Sequence, residues 1–132
     1  MDTKKKILLV EDDEALANVY KSRLDIEGFE TNWVGNGEDA LSTALSYKPD
    51  LILLDLDMPL MNGSDMLERM RATEWGKDIK VLILTNSTPD VTSTPIHTQP
   101  LNADRYIIKA HRTPEQILDI VYETLTISSN KY

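Results

Sequence analysis

The chain has no cysteine and two histidines, His97 and His111. Disulfides, thiolate zinc sites and cysteine nucleophiles are excluded together, and a metal site built on several histidines is disfavoured. Positive charge is scarce: 14 Lys and Arg stand against 22 Asp and Glu, for a formal net charge of −8. That sign argues against a nucleic-acid-binding module, which needs clustered cations to displace counterions from phosphates. Long hydrophobic runs are missing too. Lys4, Lys5 and Lys6 precede Ile7-Leu8-Leu9-Val10 as in the start of a secretory signal. Such a signal needs about 7–15 apolar residues, whereas Glu11-Asp12-Asp13 ends this run after four. Nothing approaches the roughly 20 residues of a membrane span, so a cytoplasmic location is expected. What remains is a globular balance, 41% apolar and 27% charged over 132 residues. That is the size of one domain, able to bury a sizeable core without staples.

Short apolar runs alternate with segments of helical period. Ile7–Val10, Leu51–Leu54 and Val81–Leu84 lack polar alternation, as strands of a parallel sheet covered on both faces should. Phe29–Val34 alternates, with Phe29, Thr31 and Trp33 on one side, and suits a sheet edge; Tyr106–Ile108 is a fifth strand. Leu16, Val19, Tyr20 and Leu24 mark one face of a first helix, which Gly28 should end. A second helix starts near Asn36, carries Leu41, Ala44 and Leu45, and stops before Pro49. Gly63 and Ser64 lead into a third with Met66, Leu67 and Met70. The last opens at Thr113-Pro114-Glu115-Gln116, a capping box with proline in the first turn, and carries Ile117, Val121 and Leu125. Thr88–Gln99 should hold a fourth helix, but Pro89, Pro95 and Pro100 punctuate it, so that helix is expected to be short, broken or absent. The pattern predicts an α/β fold, a (βα)5 doubly wound parallel sheet of five strands in one domain over 1–132, with its core at about 5–127.

Polar groups gather where strands end: Glu11 and Asp12 after the first, Asp55 after the third, Thr85 after the fourth, Lys109 after the fifth. In an open parallel sheet, ligands bind beyond the carboxyl ends of the strands at the topological switch point. Clustered carboxylates repel and need a counter-cation, and oxygen-only ligands select a hard ion such as Mg²⁺. Singly, each residue has a plainer reading. Glu11, Asp12 and Asp57 could be solvated, Lys109 a surface lysine, Thr85 a turn hydroxyl and Tyr106 simple packing.

Taken in order, four segments resemble the response-regulator receiver domain of two-component signalling, of the chemotaxis-regulator kind. They are Ile7-Leu8-Leu9-Val10-Glu11-Asp12-Asp13, then Asp50-Leu51-Ile52-Leu53-Leu54-Asp55-Leu56-Asp57-Met58-Pro59 with Asn62-Gly63, then Val81-Leu82-Ile83-Leu84-Thr85, and Ala103-Asp104-Arg105-Tyr106-Ile107-Ile108-Lys109. The resemblance runs from about Lys5 to Leu125. It implies a flavodoxin-like strand order 2-1-3-4-5 and a phosphoacceptor, Asp55, that takes a phosphoryl group from the phosphohistidine of a sensor histidine kinase or phosphotransfer protein. It further implies that Asp12, Asp55 and the backbone carbonyl of Asp57 hold Mg²⁺ (or Mn²⁺), with Glu11 reaching the metal through water. Lys109 and Thr85 would bind phosphoryl oxygens, and Tyr106 would turn inward with Thr85 as the switch. A receiver is not an enzyme in the ordinary sense, although it catalyses its own phosphorylation and a slow aspartyl-phosphate hydrolysis.

Three features depart from that pattern: Asn86 in place of a small residue, Ala110 in place of proline after Lys109, and the prolines of the fourth-helix segment. They support an alternative, a receiver-like interaction domain that works without phosphorylation. With Ala110, a cis Lys109–Ala110 peptide is expected only because the site would over-determine the backbone there. No output domain is expected, so a downstream protein would be engaged through the fourth-helix, fifth-strand and fifth-helix face, with no nucleic acid and no membrane as partner. Two further motifs are set aside. Gly35-Asn36-Gly37-Glu38-Asp39-Ala40 has dinucleotide-site spacing but follows an edge strand with no room for a second nucleotide-binding half. Asp55-Leu56-Asp57 looks like the nucleophile motif of haloacid-dehalogenase phosphatases but lies on the wrong strand.

Overall fold

The computed structural model describes residues 4–56, 63–85, 105–109 and 112–129. The elements run β1 Lys6–Val10, α1 Glu14–Ile26, β2 Glu30–Val34, α2 Gly37–Tyr47, β3 Leu51–Asp55, α3 Gly63–Arg71, β4 Lys80–Thr85, β5 Arg105–Ile108 and α4 Pro114–Ser129. All five strands are parallel, in the order β2-β1-β3-β4-β5. This is the doubly wound, flavodoxin-like arrangement. The segment expected to hold a broken helix, Thr88–Gln99, lies outside the described residues, as do Asp57, Asn86 and Ala110.

The unalternating strands are apolar because each face of the sheet is covered. Ile7, Leu9, Leu51, Leu53, Leu82, Leu84 and Ile107 point to one side and pack with Ala17, Tyr20 and Leu24 of α1 and Ile117 and Val121 of α4. Leu8, Val10, Ile52, Leu54, Val81 and Ile83 point to the other, against Ala40 and Ala44 of α2 and Met66, Leu67 and Met70 of α3. Successive strand residues thus feed opposite cores, as a pleated strand requires.

Helix ends follow the local chemistry. Asp13 caps α1, its Oδ1 accepting the Leu16 amide at 3.2 Å. Gly28, at φ 95°, carries the chain out of that helix in the left-handed region where a Cβ is penalised. Asn36 caps α2 by accepting the Asp39 amide at 2.8 Å, so this Gly-Asn-Gly stretch is a helix start. For α4, Thr113 Oγ1 accepts the Gln116 amide at 3.2 Å while Gln116 Oε1 accepts the Thr113 amide at 2.9 Å.

Two helix faces differ from the periodicity reading. Val19 and Leu45 are 41% and 51% exposed, while Ala17 and Ala40 sit at the sheet. Close approach of a helix to a sheet favours the small side chain, which rotates the larger neighbour outward. The alternation in β2 is also weaker than expected. Phe29, just before the strand, is buried, and Thr31 through Val34 are all half-buried, with Trp33 packed on one core and Val34 on the other.

Candidate functional site

In this strand order the chain goes one way from β1 to β2 and the opposite way from β1 to β3. The crevice therefore opens at the carboxyl ends of β1 and β3. Glu11 follows the last residue of β1, and Asp55 ends β3. Thr85 ends β4, and Lys109 follows β5. Sequence-distant groups converge because parallel strands end on one side.

The three consecutive acids after β1 divide their tasks. Glu11 turns inward and is 1% exposed, Asp12 faces solvent, and Asp13 caps α1. The Asp13 amide also donates to Glu11 Oε2 at 3.2 Å. Asp55 and Thr85 are buried as well. Lys109 reaches into this acidic ground, its Nζ lying 3.1 Å from Glu11 Oε1 and 3.2 Å from Asp55 Oδ2. Glu11, Asp12 and Asp55 each present an oxygen within 4.8 Å of the others.

Among the described residues, three carboxylates gather around one ammonium, and the protonation equilibria respond. Glu11 is pushed up from 4.5 to about 7, first by burial and next by the Asp55 charge, with the Asp13 amide and Lys109 pulling the other way. For Lys109, burial alone would favour the neutral amine, but Asp55 and then Glu11 outweigh it and raise its pKa.

The donor set suits a hard divalent cation: all oxygen, with charge to match. In a Mg²⁺ octahedron opposite oxygens lie about 4.2 Å apart. The carboxylates are already gathered on nearly that scale.

Of the residues singled out from sequence, Glu11, Asp12, Asp55 and Lys109 are brought together, and Thr85 is placed at the same edge of the sheet. Tyr106 lies in β5 opposite Ile83; its side chain, read as the switch, is outside the described set. The Asp57 carbonyl, read as a metal ligand, and the Lys109–Ala110 peptide, read as cis, are outside it as well. Two residues had escaped the sequence reading. Asp13 was legible in principle, since an acid just before a helical period is a good N-cap. Trp33 was not. Its indole Nε1–H donates to the Glu11 backbone carbonyl at 2.7 Å, a contact that exists only through the β1–β2 register.

The response regulator receiver domain profile matches residues 7–122. The DNA-binding response regulator MtrA of Mycobacterium tuberculosis is 38% identical over 118 residues, 89% of this chain and 50% of its own length. The cell cycle transcriptional regulator CtrA of Caulobacter vibrioides is 34% identical over 115 residues, 87% of this chain and 48% of its own. The chain thus spans about half the length of these relatives. Among solved structures, a CheY-like response regulator receiver domain protein from Methanospirillum hungatei superposes with a TM-score of 0.85 at 25% identity, covering 98% of this chain and 100% of that one. With strand order, carboxylate cluster and sequence profile agreeing over most of its length, the chain belongs to the response regulator receiver domain family of two-component systems.

Proposed function

We propose that the domain is a phosphoacceptor switch with Asp55 as the acceptor. The observation that carries this reading is the placement of Lys109 Nζ between Glu11 and Asp55, beside a buried excess of carboxylate. Phosphoryl transfer asks little covalent chemistry of a protein; it asks for position and for cancellation of charge. An Asp55 carboxylate oxygen attacks phosphorus in a phosphohistidine of a sensor kinase or phosphotransfer protein. The new O–P bond forms as the P–N bond breaks, and the imidazole leaves. Lys109 moves its ammonium from the bare carboxylate to a phosphoryl oxygen, and the Thr85 hydroxyl binds another. Asp12, Asp55 and the Asp57 carbonyl, with Glu11 through water, would hold Mg²⁺ or Mn²⁺, which would supply further positive charge. Water later cleaves the O–P bond of the acyl phosphate and restores Asp55. The domain is thus a self-modifying substrate whose phosphorylated state alters a protein-binding surface on the β5–α4 side, with Tyr106 and Thr85 as switch residues.

Incubation with a small phosphodonor and Mg²⁺ tests this directly. Mass spectrometry should find one acyl phosphate, on Asp55, lost in Asp55→Asn and lost on omitting the metal. Labelling of Asp57 instead, or no labelling of the wild type, would overturn it.

A further inference from the structure

The turn that carries Glu11 and Asp12 is held from outside by a residue with no acid chemistry of its own. The β1–β2 ladder ends at Val10 and Val34, after which the Glu11 amide makes one more bond, to Val34 O at 3.1 Å. The chain then leaves β2 for α2, which starts at Gly37. Beyond that point the Glu11 carbonyl takes the Trp33 indole N–H at 2.7 Å, shorter than the usual N–H···O distance. Glu11 is therefore gripped on both sides, by the backbone and the side chain of neighbouring β2 residues.

The gripped carbonyl belongs to the planar peptide unit joining Glu11 to Asp12. Its direction sets the Glu11 ψ angle, and so where the Asp12 Cα and carboxylate go. The same residue's side chain is the inward acid, touching Lys109. The Trp33 ring itself packs against the α1–α4 side of the core and cannot swing freely.

We infer that Trp33 is a positioning residue for the carboxylate cluster, its indole N–H fixing the turn that aims Glu11 inward and Asp12 outward. This rests on the reading of the cluster as a divalent-cation site. The ring is the anchor, and the N–H is the part that does the aiming. Trp33→Phe keeps most of the ring and deletes the donor.

Mn²⁺ affinity, measured by calorimetry without any phosphodonor, is the first readout. Wild type should bind, and Trp33→Phe should bind about fivefold more weakly, the equilibrium worth of one well-made hydrogen bond. Phe29→Leu loosens the same core without touching the turn. It should lower the melting temperature while keeping wild-type affinity. Equal affinity in wild type and Trp33→Phe, or an equal loss in Phe29→Leu, overturns the assignment while leaving the metal site standing. Failure of wild type to bind Mn²⁺ overturns the metal reading itself, and the inference with it. A second readout needs no variant. In the metal-free protein the Trp33 indole proton should exchange with solvent at least tenfold more slowly than a free indole, and exchange at the free rate would refute the contact.

Discussion

The two ends of the sheet handle charge in opposite ways. At the amino end, the Lys6 amide donates to Asp50 Oδ2 at 2.7 Å and the Asp50 amide donates to Lys6 O at 2.8 Å. The Lys6 ammonium donates to Tyr47 O at 3.4 Å and lies 5.3 Å from the Tyr47 ring centre. Asp50 is exposed and Lys6 and Tyr47 are only half-buried, so water reaches these contacts and makes each cheap to form and cheap to lose. At the carboxyl end, Glu11 and Asp55 are buried with one lysine between them. Folding gains nothing from such an excess of like charge. The cluster costs stability, and its all-oxygen donor set is compatible with a divalent cation.

That contrast breaks most visibly at the two lysines. Lys109→Met should lower metal-free stability by about 3–5 kcal/mol, because it strands buried carboxylates without their counter-charge. Lys6→Met should cost less than about 1 kcal/mol. Urea unfolding of both variants checks the ratio, and adding Asp55→Asn to Lys109→Met should restore much of the loss. Similar losses at both lysines would erase the distinction between the two ends.

The pH dependence sharpens it further. The Glu11 carboxyl is raised from 4.5 to about 7 in the folded chain, so between those values the folded state keeps a proton that the unfolded state has released. Its contribution is therefore fully present below about 4.5 and is lost as pH rises towards about 7. In metal-free buffer this should cost about 3 kcal/mol across the window, visible as a falling urea midpoint. Glu11→Gln should flatten that slope. A slope unchanged in Glu11→Gln would mean that another group carries it.

The smallest expected effect lies on the edge strand. Thr31 Oγ1 is buried with no hydrogen-bond partner among the described residues. Thr31→Val keeps the shape and removes the unpaired hydroxyl, and should stabilise by about 1 kcal/mol in thermal or urea unfolding. A loss of stability would show that the hydroxyl is satisfied after all. Here the burden is a single dipole, against the several charges at the carboxyl end.

Much of this was legible in the amino acids. Unbroken apolar runs at residues 7–10, 51–54 and 81–84 announced strands covered on both faces, and each face has its own core. The capping box at Thr113 and the helix start at Asn36 stand where the sequence put them, because a cap is a bond between residues three apart. The location of Glu11, Asp12, Asp55, Thr85 and Lys109 at strand ends was also local, since each follows or ends an apolar run. Helix faces were less secure. Val19 and Leu45 fit the period but yielded the sheet-facing places to alanines.

The sequence by itself determined the described elements, their parallel sense and the acids at their carboxyl ends, because period and punctuation act over a few residues. Tertiary structure alone decided that Glu11 turns inward and Asp12 outward, that Lys109 spans Glu11 and Asp55, and that an indole from β2 holds the turn. These depend on strand register and on which neighbours withdraw a group from water. Both bring together residues as far apart as Glu11 and Lys109, whose contact no local spacing encodes.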